Sequence, residues 1–256
     1  MIIGLTIVAM GTSAPEAAVS VTSSLAGQND MSVANVVGSN FFNVLVVLGV
    51  SSIIAKLPVQ EETIKKDTPF LILVSILLLV FGINLKLGRI EGLALLGLFT
   101  YFLVNTIKSA KKATEDDSLE TGETAIAIET QTSSEISLPK TILVSLVGIA
   151  GIVLGGDMVV NSATSIATSL GMSANLVGLT IVAVGTSLPE FVTSIVAIKK
   201  GETEIAIGNV IGSNLFNILL VLGLAAVINP ISMSMLAFID IILSLIHIWR
   251  CRRLLT

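Results

Sequence analysis

The chain has 256 residues, 53% hydrophobic and 12% charged, with a net charge of −4 and a mean hydropathy of +0.96. A soluble domain carries roughly 25% charged residues, so half that share, set in long apolar runs, indicates an integral membrane protein. No basic face is present to neutralise phosphates, which argues against a nucleic-acid partner, and a single cysteine excludes a disulfide framework within the chain.

Met1 opens directly into IIGLTIVAM with no basic leader, so no cleavable signal peptide is expected. The expected spanning elements are helices, because lipid cannot satisfy open backbone groups and the runs are too long and too uniformly apolar for barrel strands. In chain order the spans fall near residues 1–26 and 31–55, then between Asp67 and Lys86, and then between Glu91 and Lys108. Residues 108–139, rich in Ser, Thr and Glu, read as a flexible cytoplasmic linker. A fifth span starts near Thr141 and passes Asp157; the sixth and seventh cover about residues 174–198 and 205–228. An eighth apolar run begins near Ile231.

One stretch occurs twice. Residues 4–16 read GLTIVAMGTSAPE and residues 178–190 read GLTIVAVGTSLPE, identical at eleven of thirteen positions. A second block follows each copy, GSNFFNVLVVLG from Gly38 and GSNLFNILLVLG from Gly212. Both offsets are equal, 185 − 11 = 174 and 212 − 38 = 174, so the chain consists of two homologous halves.

Lysines and arginines set the orientation. With the linker inside, cytoplasmic loops hold Lys56, Lys65, Lys66, Lys108, Lys111, Lys112, Lys140, Lys199 and Lys200, and outer loops hold Lys86 and Arg89. The loop after the first copy (Gln28, Asn29, Asp30) has no basic residue, whereas the loop after the second carries Lys199 and Lys200. Five spans separate the copies, so the halves face opposite ways, which is a transporter signature with a midplane site at the junction.

The repeat also leads us to expect that both ends are incomplete. The counterpart of the fifth span falls before Met1, so a first helix is expected to be missing. An apolar run of about 17 residues should follow Asp240, matching the one after Asp67, but Ile241 and Ile242 give way to LSLIHIWRCRR. That segment holds the chain's only His (His247), Trp (Trp249) and Cys (Cys251). Residues 243–253 are what a transposase-end DNA of the kind used in sequencing libraries would encode if a TGA codon were read as tryptophan. The tail is therefore expected to be non-native, and His247 and Cys251 are not taken as ligands or nucleophile. The organisation expected is a first inverted half over residues 1–107, a linker over 108–139, a second half over 140–242 and a tail over 243–256.

Each copy places a carboxylate in mid-span, Glu16 and Glu190. A central charge costs ~2.5–3.5 kcal/mol on insertion scales, so two at equivalent points mark function. Pro15 and Pro189 cannot donate to the carbonyls of Gly11 and Gly185, and the kink loosens those of Thr12 and Thr186. Thr12 and Ser13 stand four and three residues before Glu16, on one helix face; Thr186 and Ser187 stand likewise before Glu190. The next helix carries the stripe Asn35, Ser39 and Asn43, repeated as Asn209, Ser213 and Asn217. Converging, these groups offer only oxygen ligands, which suits hard cations such as Ca²⁺, and Na⁺ accepts the same set. Two carboxylates balance one Ca²⁺ or two Na⁺, and ions that share ligands must compete.

Ser20, Thr22, Ser23 and Ser24 read as close-packing or interhelical hydrogen-bonding residues. Asn40 and Asn214 stand open between that role and a ligand role. Asp157 reads as structural or interfacial. Leu154-Gly155-Gly156-Asp157 departs from the GxGD of intramembrane aspartyl proteases at its first position, and no nucleophile–base pair or cofactor loop supports an enzyme.

GTSAPE with GSNFFN, and GTSLPE with GSNLFN, resemble the two alpha-repeats of the cation/Ca²⁺ exchanger superfamily, in its prokaryotic Na⁺/Ca²⁺ exchanger branch. The resemblance covers nearly the whole chain apart from the tail. It implies an all-α polytopic membrane fold of ten spans in two inverted halves, of which this chain would hold spans two to eight and part of nine. It implies that Glu16 and Glu190 are the central carboxylates shared by Ca²⁺ and Na⁺. Thr12 and Thr186 would bind through carbonyls, with Ala9 and Ala183 adding carbonyls at the Na⁺ sites. Ser13, Ser39, Ser187 and Ser213 would give hydroxyls to Na⁺, and Asn43 and Asn217 would border the central site. Some members, notably many K⁺-dependent ones, have Asp where this chain has Asn217, which weakens a K⁺-dependent reading. The linker is too short for the Ca²⁺-sensing domains of animal exchangers. The expected activity is antiport of Ca²⁺ against Na⁺ by alternating access in the cell's inner (plasma) membrane, with no cofactor and no obligate protein partner. The rivals are a Ca²⁺/H⁺ antiporter of the same fold and a non-transporting membrane scaffold or sensor.

Overall fold

A computed structural model of the chain describes residues 4–27, 29–120, 138–172 and 178–255. Among them, eight helical runs follow one another. In the first, a π-helical turn (Gly4–Val8) feeds α1 (Ala9–Thr12), the helix breaks at Ser13, and α2 (Ala14–Leu25) continues. In the second, α3 (Asn29–Phe41) passes through a π-helical stretch (Phe42–Val47) into α4 (Leu48–Ile54). The third joins a π turn (Thr63–Asp67) to α5 (Thr68–Phe81). A short strand, β1 (Lys86–Leu87), precedes α6 (Arg89–Glu120), and α7 (Leu138–Ser169) is the fifth run. The second copy then repeats the first. A π turn (Gly178–Val182) leads to α8 (Ala183–Thr186), a break at Ser187 and α9 (Leu188–Lys199). Next, α10 (Thr203–Phe216) passes through a π stretch (Asn217–Leu222) into α11 (Gly223–Ile228). Strand β2 (Ile231–Ser232) and α12 (Met235–Leu255) close the chain.

Among the described residues three helices are long and apolar enough to cross a membrane: Met31–Ile54, Arg89–Ser109 and Thr203–Ile228. The pair Thr180–Thr186 and Leu188–Lys199, bent by 43°, makes a fourth if taken as one span. The bend has a local cause. Ser13 (φ −83, ψ 7) and Ser187 (φ −90, ψ 5) sit in the bridge region between helical wells. Pro15 and Pro189 follow at the second position of the next helix, where a missing N–H is harmless.

Several boundaries differ from the sequence expectation. The third span stops at Phe81, not at Lys86, because Gly82 caps the helix by donating its N–H to the Leu78 carbonyl at 2.9 Å. The chain then turns through Leu85 (φ 59) into β1. The linker expected from residue 108 begins as helix instead: α6 runs to Glu120. Its stretch KSAKKATEDDSLE is rich in good helix formers, and Lys111 and Lys112 precede Glu115 and Asp116 by one turn each. Residues 121–137, the middle of that linker, lie outside the described residues, as does the side chain of Asp157. The segment 243–255 is helical as the end of α12. Ile248 is buried there, and the His247 ring meets Phe41 edge-on at 5.6 Å between centroids.

Lipid tails are as apolar as leucine, so helices in a bilayer associate through close packing and hydrogen bonds rather than hydrophobic burial. The glycines of the repeated blocks supply the close approach. A Cβ on Gly212 would lie 2.5 Å from the Leu5 carbonyl oxygen and 2.7 Å from the Ala9 Cβ. Its counterpart Gly38 would meet the Ala183 Cβ at 3.0 Å. Each GSN block thus lies against the alanine of the other half. One apolar cluster runs through both halves, joining Leu5, Val33 and Val36 to Leu215, Phe216 and Leu219. The halves also meet at one end, where β1 pairs antiparallel with β2 (Lys86 opposite Ser232, Leu87 opposite Ile231) and Met233 N–H donates to Leu85 O at 2.8 Å.

Candidate functional site

The two helix breaks face each other at the centre of this packing. Glu16 and Glu190 sit in the first turns of α2 and α9, both with no exposed surface. Thr12, Ser13, Thr186 and Ser187 are buried beside them, as are Asn35, Ser39, Asn43, Asn209, Ser213 and Asn217 on the helices that follow. Every expected polar side chain therefore lies in the buried interior. The partners differ from the expectation, however. Thr12 and Ser13 were placed with Glu16 on one helix face, yet Ser13 Oγ donates to Glu190 Oε1 at 3.0 Å and Ser187 Oγ donates to Glu16 Oε1 at 3.0 Å. The break explains the difference: it turns the hydroxyls out of register with the helix that carries their own carboxylate.

The exchange continues outward. Thr12 Oγ1 donates to Asn209 Oδ1 and Thr186 Oγ1 to Asn35 Oδ1, both at 3.2 Å. Asn35 Nδ2 reaches the Glu16 carbonyl at 3.3 Å and Ser20 Oγ at 3.1 Å; Asn209 Nδ2 reaches the Glu190 carbonyl at 3.2 Å and Ser194 Oγ at 3.1 Å. Asn43 Nδ2 donates to Asn214 Oδ1 at 3.1 Å and Asn217 Nδ2 to Asn40 Oδ1 at 3.0 Å. Each of these bonds has its image 174 residues away, as a pseudo-two-fold axis through the site requires. The images are not complete among the described residues: Ser39 Oγ lies 3.5 Å from Thr186 Oγ1 without a matching contact at Ser213, and Ser32 Oγ donates to the Ser20 carbonyl at 2.8 Å where the second half has Ala206.

The backbone contributes too. Across the first break Ser13 N–H donates to Ala9 O at 2.9 Å and Ala17 N–H to Ser13 O at 3.1 Å, and Pro15 leaves the Gly11 carbonyl without its usual donor. Thr12 and Thr186 also reach the Ala9 and Ala183 carbonyls, at 3.3 and 3.2 Å.

After these bonds several buried acceptors remain unpaired: Glu16 Oε2, Glu190 Oε2, Asn43 Oδ1 and Asn217 Oδ1. A buried acceptor without a partner costs about 1–3 kcal/mol, more when charged. Four such oxygens around two carboxylates form a place that lacks a positive charge. Among the described residues no group of three or more His, Cys, Asp or Glu converges. The set consists of two carboxylates among neutral oxygens, the ligand type that hard cations take. A cavity of about 420 Å³ lies nearby, but it touches this network only at Asn214; its walls include Val44, Leu48, Leu71 and Val210, and neither carboxylate lines it.

Asn40 and Asn214, left open by the sequence, prove to be hydrogen-bond partners of Asn217 and Asn43. Ser20 and Ser24 take the packing role expected of them; Ser24 Oγ donates to the Ala225 carbonyl at 2.7 Å. Ser194, the image of Ser20, had carried no separate signal.

The comparisons with known proteins bear on family and fold. A family model described as sodium/calcium exchanger protein matches residues 1–108 and 140–251. A putative antiporter, CaxA of Alkalimonas amylolytica, is 44% identical over 90% of this chain and 70% of its own length. The inner membrane protein YrbG of Escherichia coli (strain K12) is 38% identical over 93% of this chain and 72% of its own. Among solved structures, the sodium-calcium exchanger NCX_Mj soaked with Na⁺ and Sr²⁺ superimposes with a TM-score of 0.81 at 29% identity, covering 100% of this chain and 79% of that one. With family match and fold in agreement, this chain belongs to the sodium/calcium exchanger family of cation antiporters.

Proposed function

We propose that the protein exchanges Ca²⁺ for Na⁺ across the cell's inner membrane, through the site between its two halves. One observation carries this reading. Two fully buried carboxylates each spend one oxygen on a serine of the opposite half and leave the other unpaired. Their combined charge of about −2 is neutralised by one Ca²⁺ or by two Na⁺, so occupancy by one ion excludes the other.

In this proposal Glu16 and Glu190 are shared by both ions. The carbonyls of Thr12, Thr186, Ala9 and Ala183 and the hydroxyls of Ser13, Ser39, Ser187 and Ser213 complete the Na⁺ positions, and Asn43 and Asn217 border the centre. The unpaired Asn43 Oδ1 and Asn217 Oδ1 support their inclusion. Access alternates as α7 slides along α8 and α9, against which it packs. The inner-membrane location rests on the similarity to YrbG and on the charge bias of the loops.

The alternative is Ca²⁺/H⁺ exchange. Two protons on the two acids would neutralise the site as two Na⁺ do. Vesicles carrying the protein decide between them. They are loaded with Na⁺, diluted into Na⁺-free medium with a proton uncoupler, and followed for Ca²⁺ uptake. Uptake that depends on the Na⁺ gradient is expected. Uptake that instead needs a pH gradient and fails with the uncoupler would replace this reading with the proton-coupled one.

A further inference from the structure

Asn35 and Asn209 were expected to add oxygens to the ion site, but their oxygens are already engaged. The orientation of each amide is fixed by chemistry. Asn35 Nδ2 faces the Glu16 carbonyl, which can only accept, so Oδ1 must face Thr186. The same reasoning turns Asn209 Oδ1 toward Thr12.

The threonines are the contested groups. A hydroxyl has one proton to donate. Thr186 Oγ1 has two acceptors at equal distance, Asn35 Oδ1 and the Ala183 carbonyl, both at 3.2 Å. Thr12 Oγ1 has Asn209 Oδ1 at 3.2 Å and the Ala9 carbonyl at 3.3 Å, with the Glu190 carboxylate also within reach, so the contest is cleanest at Thr186. A carbonyl oxygen has two lone pairs. On Ala9 one is already taken by the Ser13 N–H at 2.9 Å, so the threonine proton and a cation would compete for the other.

We infer that Asn35 and Asn209 are positioning residues that draw the Thr186 and Thr12 protons away from the Ala183 and Ala9 carbonyls, leaving those oxygens free for Na⁺. The inference rests on the proposed Na⁺/Ca²⁺ exchange and extends it to residues that touch no ion. Each asparagine also pins the backbone of its own carboxylate helix while serving the threonine of the other half. A single side chain therefore couples the carboxylate of one repeat to the carbonyl ligand of the other.

The test compares Na⁺ and Ca²⁺ half-saturation in the vesicle assay for wild type, Asn35→Ala, Thr186→Val and the double variant. Asn35→Ala should raise the Na⁺ half-saturation about fivefold, the scale of one hydrogen bond, and change the Ca²⁺ half-saturation less than about twofold. Adding Thr186→Val removes the competing proton and keeps the carbonyl. The double variant should therefore recover Na⁺ affinity to within about twofold of Thr186→Val alone. A double variant as impaired as Asn35→Ala, or worse, would overturn the inference, because a merely structural asparagine would not be rescued by deleting a hydroxyl. If Asn35→Ala does not reach the membrane folded, Asn209→Ala with Thr12→Val gives the same test at the equivalent point. Misfolding of both alanine variants would assign the asparagines a structural role and likewise overturn it. A wild type that takes up no Ca²⁺ on a Na⁺ gradient would instead refute the exchange reading itself.

Discussion

Helices α10 and α7 flank the same broken helices but are held in opposite ways. In α10 every residue from Ala206 to Phe216 is buried, and most of the span that contains it is buried as well. It touches the π turn at Gly4–Val8, α1 and α9, so it bears on both repeats at once. In α7, Leu143, Val144, Leu146, Val147, Leu154 and Met158 are all exposed, and its contacts fall mainly on α8, α9 and the π turn before them. In water such a surface would be a liability. In lipid it costs nothing, because tails solvate leucine as well as protein does. Under the proposed alternating access, the contrast assigns the fixing of the ligands to α10 and the movement past them to α7.

The predictions probe that contrast, beginning with the cargo that the fixed part must hold. Glu16→Gln and Glu190→Gln should each lower Ca²⁺ affinity by on the order of 3 kcal/mol, roughly 100-fold, and so abolish transport. Thermal unfolding in detergent should show stability kept or raised, since a buried charge is removed. Full transport by either variant would leave the fixed part with nothing to fix.

On the fixed side, Gly212→Ala should cost ~1–3 kcal/mol of stability, because its Cβ would fall 2.5 Å from the Leu5 carbonyl and 2.7 Å from the Ala9 Cβ. An unchanged melting temperature would show that α10 can yield. Ser13→Ala and Ser187→Ala each remove one hydroxyl–carboxylate bond, worth about 1.5 kcal/mol or more, and should weaken Ca²⁺ binding about tenfold. The two effects should match, since the bonds are images of each other; isothermal titration of the purified protein checks both, and unequal losses would break the symmetry argument.

The smallest effect belongs to α7. Gly148, Gly151 and Gly155 have no atom of the described residues within 4 Å of an added Cβ. Alanine at any of them should leave the melting temperature unchanged or raise stability by up to ~1 kcal/mol through helix propensity. Slower turnover without loss of stability, read in the vesicle assay, would locate a second packing arrangement of α7. A destabilised variant would show that α7 is fixed like α10.

Much of this was legible in the residues. The fixed offset disclosed two halves, mid-span Glu16 and Glu190 disclosed the site, and Pro15 and Pro189 disclosed the broken helices. What the sequence did not disclose is who bonds to whom. Periodicity reports which residues share a face of one helix, so Ser13 was assigned to Glu16, three residues on, and not to Glu190, 177 residues away. The π turns were likewise silent, because GLTIV carries no recognised local signal for an extra residue per turn, although they recur in both copies. The helical continuation of α6 was missed for another reason: its polar composition was read as incapable of a core, but a charged helix with turn-spaced pairs needs none.

The crossed bonds also bear on ancestry. Ser13 serving Glu190 and Ser187 serving Glu16 is the pattern that two identical short chains would make if they lay antiparallel in a membrane, each completing the other's site on a shared axis. Neither chain alone would hold a finished site, so a gene for one half would have had to insert its product in both orientations. Fusion into a single reading frame removes that demand by fixing each orientation, and it lets the copies diverge. Met10 against Val184 and Ala14 against Leu188 are places where that divergence is visible within otherwise identical stretches.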